Sequence, residues 1–144
     1  MRHILIVANQ TACGEHLQAV VQQRIAQGPC RFTLVVPARI PEGHLTWTEG
    51  QGIALANQRL EEALPKLRAA GAPVEGVVGD RRPVLAVDDF LRHAEVDEII
   101  VSTLPPGASK WLRQDLPRRI QRTFDVPVTH VIDTREPATI AAGN

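Results

Sequence analysis

The chain has 144 residues, a length that favours one domain, and 44% of them are hydrophobic, enough for a single core. Aromatics are only 3% with no Tyr, so Val, Leu, Ile and Ala must fill that core. Sixteen basic and 16 acidic residues give a formal net charge of +0, which argues against nucleic-acid binding by bulk charge.

No apolar run approaches the roughly 18 residues of a spanning helix, so no membrane partner is expected. Met1-Arg-His-Ile-Leu-Ile-Val7 turns polar too soon for a signal peptide. The chain reads as cytoplasmic, and Cys13 and Cys30 then read as free thiols rather than a disulfide.

His3 to Ala8 is predicted as a buried strand, with Asn9 to Gly14 as its exit loop. Glu15 to Gln27 follows as a helix, its face formed by Leu17, Val20, Val21 and Ile25, and Gly28-Pro29 stops it. Arg31 to Pro37 is the second strand. Ala38 to Leu45 is a loop, and Thr46-Trp47-Thr48-Glu49 has capping-box spacing for the second helix. The apolar stripe of that helix is Ile53, Ala56, Leu60, Ala63, Leu64 and Leu67. Glu62 and Lys66 form an i,i+4 pair, and Pro65 predicts a kink or an early end.

Pro73 to Val78 is the third strand, and a helix from Pro83 to about His93 buries Val84, Val87 and Leu91. Asp97 to Ser102 is the fourth strand. Asp115 then reads as the N-cap of a last helix reaching about Phe124, with Pro117 in its first turn. Val126 to Ile132 is the fifth strand. Residues 133–144 have the composition of a frayed tail, so the domain is set at 1–133 and a disordered tail at 134–144.

Five near-continuous apolar strands alternating with four helices predict an α/β fold with a parallel sheet covered on both faces. The natural strand order is 3-2-1-4-5. It puts a topological switch between strands 1 and 4, where ligands bind beyond the strand C-termini. The expected ligand-binding residues are Asn9, Gln10 and Thr11 after strand 1, Val36 on strand 2, and Ser102, Thr103, Gly107, Ser109 and Lys110 after strand 4.

The element order, Gly79-Asp80 before the third helix, Val96-Asp97-Glu98-Ile99-Ile100-Val101 and Val126-Pro127-Val128 carry a resemblance to the universal stress protein (UspA-like) family over nearly all of residues 2–133. The resemblance implies a three-layer α/β sandwich of the adenine nucleotide alpha hydrolase-like type. It also implies homodimerisation through strand 126–132 and, in one branch, ATP binding. ATP-binding members carry a glycine pattern after strand 4 that closes on Gly-Ser or Gly-Thr. Here its first two glycine positions hold Ser102 and Pro105. The closing pair falls on Asp115-Leu116 or, counted back from strand 5, on Gln114-Asp115. The usual Asp at the end of strand 1 is Asn9. Pro105 and Pro106 cannot donate a backbone N–H, and a capping Asp115 would occupy the phosphate position at the last helix.

Gly107-Ala108-Ser109-Lys110 reads as either a small anion nest or a solvated basic turn, with Arg113, Arg118 and Arg119 near in sequence. Asn9, Gln10 and Thr11 read as ligand contacts or as ordinary turn chemistry. Trp47, with His44 and Glu49 in the same loop, reads as a lid aromatic or a staple, and Trp111 as a lid aromatic or a core anchor. Cys13 lies near a helix N-terminus, which would favour its thiolate. Asp88-Asp89 with His93 supplies too few ligands for a metal, and His130 reads as a surface or dimer-edge residue.

The expectation is therefore a non-catalytic, homodimeric module with a modified nucleotide, phosphate or other small-anion pocket. An interaction scaffold without a small ligand is the alternative. A nucleotide or acyl-phosphate hydrolase is the third reading, and it would have only Asp115 as a base.

Overall fold

The structure is a computed structural model that describes residues 1–39 and 48–134. Thr46, Trp47 and His44 lie outside the described residues, as do 135–144 of the expected tail. In chain order the elements are β1 (Arg2–Val7), α1 (Glu15–Gln27), β2 (Cys30–Pro37), α2 (Glu49–Arg68), β3 (Val74–Gly79), α3 (Pro83–Leu91), β4 (Glu98–Thr103), α4 (Lys110–Arg113), α5 (Leu116–Thr123) and β5 (Val128–Ile132).

Every strand pairing is parallel and the sheet order is β3-β2-β1-β4-β5, as expected. Alternation along each strand sorts the core into two layers. Ile4, Ile6, Leu34, Val36 and Ile100 face α1 and α2, whose Leu17, Val21, Ala56, Leu60, Ala63 and Leu67 cover them. Leu5, Val7, Val35, Ile99 and Val101 face α3, α4 and α5 through Ala86, Val87, Trp111, Leu116 and Ile120. With both faces covered, the inner strands have no polar side, which is why they are continuous apolar runs. Gly79 lets α3 approach: a Cβ there would lie 2.7 Å from Ala86 Cβ.

Several expectations are corrected. The capping box belongs to Thr48 and Gln51, not to Thr46 and Glu49: Gln51 N donates to Thr48 Oγ1 at 3.2 Å and Thr48 N to Gln51 Oε1 at 2.7 Å. Helix α2 runs past Pro65 to Arg68, so it does not end at the proline. Glu62 accepts from Gln58 at 3.4 Å, where the spacing offered Lys66. Ile53, assigned to the apolar stripe, is 41% exposed.

Two helical pieces stand between β4 and β5: α5 is the expected last helix, and a short α4 precedes it in what the sequence offers as the central loop. Ser109 caps the short α4 by accepting from Leu112 N at 3.2 Å. Asp115 sits between the pieces in the left-handed region (φ 55°), makes no cap bond and faces Arg118 at 3.8 Å and Arg122 at 4.0 Å. It stands at the N-cap position of α5 without capping it, because a left-handed residue does not have the extended geometry of a capping side chain. Asp133, read as tail, is 1% exposed and its N–H donates to Thr103 O at 2.9 Å.

Candidate functional site: the C-terminal edge of the sheet

The loops after β1, β2, β3 and β4 leave the sheet at one edge, so their side chains meet there whatever their distance in sequence. At the β1/β4 switch point the expected polar residues bond largely to the protein itself. Thr11 Oγ1 and Ser102 Oγ are 2.6 Å apart and both are buried. Asn9 is 2% exposed and its Nδ2 donates to Pro37 O at 3.0 Å. Asn9 Oδ1 is buried with no hydrogen-bond partner among the described residues. Gln10 is half-buried beside it.

The other expected residues scatter. Val36 is fully buried in the α1/α2 layer of the core. Thr103 turns toward β5, its Oγ1 2.8 Å from His130 Nε2. Gly107 is an exposed turn residue with φ 92°, and Ser109 is a fully buried helix cap. Lys110 is half-buried and lines a cavity. Trp111 is 1% exposed and packs in the α3–α5 layer, so it anchors the central loop.

That cavity, of about 470 Å³, lies between the loop after β3, the start of α3, and α4–α5. Its cations are Arg39, Arg81, Arg82, Lys110 and Arg119, with no carboxylate lining it among the described residues. Pro83, Val84, Leu85, Trp111 and Leu116 supply apolar wall. The volume is within the ordinary range for small-molecule sites. A second cavity of about 570 Å³ shares Arg81 and Arg82 and adds Glu49, Ile53 and Asp80.

The loop between β3 and α3 is shaped locally. Asp80 Oδ1 accepts from Arg82 N at 2.8 Å and from Arg82 Nε at 3.1 Å, an Asx turn that sets the entry to α3. These bonds hold the Asp80 carboxyl below its usual range. On α2, burial and then the nearby Arg39 charge lower the Arg59 guanidinium, so positive charge is concentrated along this edge. Chemically the arrangement suits a small anion with an apolar portion. Among the described residues no group of three His, Cys, Asp or Glu side chains could hold a metal. Asp88 pairs with Arg92 at 3.0 Å.

Arg39, Arg81 and Arg82 were not reached from sequence. The signal was present, since each follows the end of a strand by three residues or fewer, but attention to the switch point alone stops at strands 1 and 4. Arg119 enters the sequence reading only as a neighbour of the Gly107–Lys110 segment, which reads as an anion nest or a solvated basic face.

No protein-family profile matches the sequence, and no curated protein sequence is similar to it. Solved structures are similar in fold. A universal stress protein from Archaeoglobus fulgidus is 18% identical with a TM-score of 0.59, covering 91% of this chain and 93% of its own. A structure of the Archaeoglobus fulgidus protein in complex with dAMP is 19% identical with a TM-score of 0.56, covering 91% and 97%. A universal stress protein in complex with cAMP is 18% identical with a TM-score of 0.56, covering 92% and 98%. The chain therefore has the fold of the universal stress proteins: a five-stranded parallel sheet of order 3-2-1-4-5 between two helical layers.

Proposed function

We propose that the chain is a universal-stress-protein-like, non-catalytic module that binds a nucleotide or another small anion at the C-terminal edge of its sheet. The observation that carries this reading is the cavity lined, among the described residues, by five cationic side chains and no carboxylate, with an apolar wall beside them. Solved proteins of the same fold in complex with dAMP and cAMP support it. Asp115, the base that a hydrolase would need, is exposed and faces Arg118 and Arg122, which favours binding over turnover.

The module is proposed to act as a homodimer through β5. Among the described residues that strand pairs only with β4, and an open strand edge favours pairing with another chain. A scaffold dimer without a small ligand is the second reading. It is favoured by the Thr11–Ser102 and Asn9–Pro37 hydrogen bonds, which use switch-point polar groups internally.

A thermal-shift screen with ATP, ADP, AMP, cyclic nucleotides, phosphate and sulfate tests the choice, because a ligand that binds only the folded chain raises Tm. The binding reading expects a rise with at least one nucleotide or phosphate. A flat response to all of them leaves the scaffold reading.

A further inference from the structure

We infer that the ligand is a phosphate monoester and that its phosphate rests at the N-terminus of α3, between Arg81 and Arg119, rather than in the β1/β4 crevice. This inference rests on the ligand-binding reading above.

Helix α3 starts at Pro83, its N-cap is Arg82 with no side-chain cap bond, and its first turn holds no acid. Its first N–H groups, at Val84 and Leu85, belong to residues that line the 470 Å³ cavity and are of the kind left without intrahelical partners. Such a terminus favours an anion.

A second observation independently asks for an acceptor. Trp111 lines the same cavity and is 1% exposed, yet its Nε1–H has no acceptor among the described residues. A buried donor without a partner is costly. Two cations complete the site from different elements: Arg81 from the loop after β3 and Arg119 from α5. Both are exposed, and neither guanidinium makes a hydrogen bond or ion pair among the described residues. Arg82 differs, because it is held by Asp80.

The phosphate assignment follows from the donors: planar guanidinium forks and backbone N–H groups suit a tetrahedral dianion. The apolar wall of Val84, Leu85, Trp111 and Leu116 suits an attached ring rather than free phosphate alone. At the β1/β4 crevice, by contrast, the Thr11 and Ser102 hydroxyls bond to each other.

The test is isothermal titration calorimetry of the full chain at low salt with AMP, adenosine and inorganic phosphate. The variants are R81A/R119A, the single R119E, and R118A/R122A as a control for bulk charge on α5 outside the cavity. The expected result is AMP bound about tenfold or more tighter than adenosine, with inorganic phosphate bound more weakly than AMP. Affinity for AMP should fall by about tenfold or more in R81A/R119A and in R119E, and change by less than about threefold in the control.

AMP binding unchanged in R81A/R119A and R119E would overturn the inference and leave the ligand-binding reading standing. Adenosine binding as tightly as AMP would overturn the phosphate assignment. No binding of AMP or phosphate by the wild type would overturn both. Circular dichroism of the variants, each at exposed positions, establishes that loss of binding is not loss of fold.

Discussion

The Asp133 carboxylate occupies the space that a side chain at residue 14 would need: its Oδ2 is 2.8 Å from the point where a Cβ on Gly14 would stand. Gly14 is the N-cap of α1, and Asp133 follows β5 directly. The end of the fifth strand is thereby held against the start of the first helix, with a negative charge at the positive end of the helix dipole. His16 Nδ1 is 3.7 Å from the same carboxylate. Gly14→Ala should cost about 1–3 kcal/mol, because Thr11 O at 3.1 Å blocks the other direction of relief. The cost should shrink in an Asp133→Ala background, and urea denaturation of the four proteins in a double-mutant cycle measures that coupling.

At the opposite edge of the sheet, Glu98 is 5% exposed and accepts from Arg24 Nε at 2.9 Å, from Arg24 Nη2 at 2.8 Å and from Thr129. Burial alone would raise this carboxyl, but the hydrogen bonds from Arg24 and Thr129 and the charges of Arg24 and Arg2 outweigh it. The net position is below the ordinary glutamate value. The unfolded chain therefore takes up this proton first as pH falls. The stabilisation is complete above the ordinary glutamate value and is lost as pH falls through the folded one. Arg24→Ala should cost about 3 kcal/mol at neutral pH by leaving the buried charge under-paired. Glu98→Gln should flatten the acid limb of the stability–pH curve measured by chemical denaturation.

His3 gives a second pH dependence at a higher pH. Its Nδ1 is 3.1 Å from Glu95 O, so that nitrogen donates, and Nε2 lies 2.8 Å from Thr33 Oγ1, whose hydroxyl can donate to it. The neutral ring thus has partners for both nitrogens. Burial, and then the Arg31 charge, lower the imidazole below its ordinary value. Above the ordinary histidine value neither state is protonated. As pH falls through that value the unfolded chain binds the proton first, and stability declines until the folded value is reached. Urea midpoints between pH 7.5 and about pH 5 should fall in the wild type and fall less in His3→Gln.

The homodimer proposal predicts a mass in solution of twice the 15.8 kDa chain. Multi-angle light scattering at micromolar concentration measures it. A single species at the chain mass would remove the dimer from the account.

The architecture was legible because its causes are local and periodic. Ile4 to Val7 and Ile99 to Val101 are apolar at every position, which only a sheet covered on both faces requires. What was missed depended on contacts distant in sequence. The role of Asp133 is defined by Gly14, far away along the chain. Asp115 resembled a cap because it precedes Leu116-Pro117, but the short α4 ahead of it needs a left-handed residue to turn the chain into α5. The capping box of α2 is made by Thr48 and Gln51, two residues beyond the Thr46–Glu49 spacing read from the sequence.

The candidate site was legible only as an edge. Switch-point reasoning reached Asn9, Thr11 and Ser102, which the fold does bring together. The cationic lining comes from Arg39, Arg81, Arg82 and Arg119, on segments that approach only after β2, β3 and α5 have packed. Lys110 is the one expected ligand residue that lines this cavity.

The central claim is that a small anion binds in this cavity, and a two-dimensional amide NMR titration of the full chain with AMP tests it most directly. The account predicts saturable shifts concentrated at Arg81, Arg82, Val84, Leu85, Lys110 and Trp111, together with a shift of the Trp111 indole N–H. Spectra that do not change up to millimolar AMP, or shifts confined to residues away from the C-terminal edge of the sheet, would contradict it.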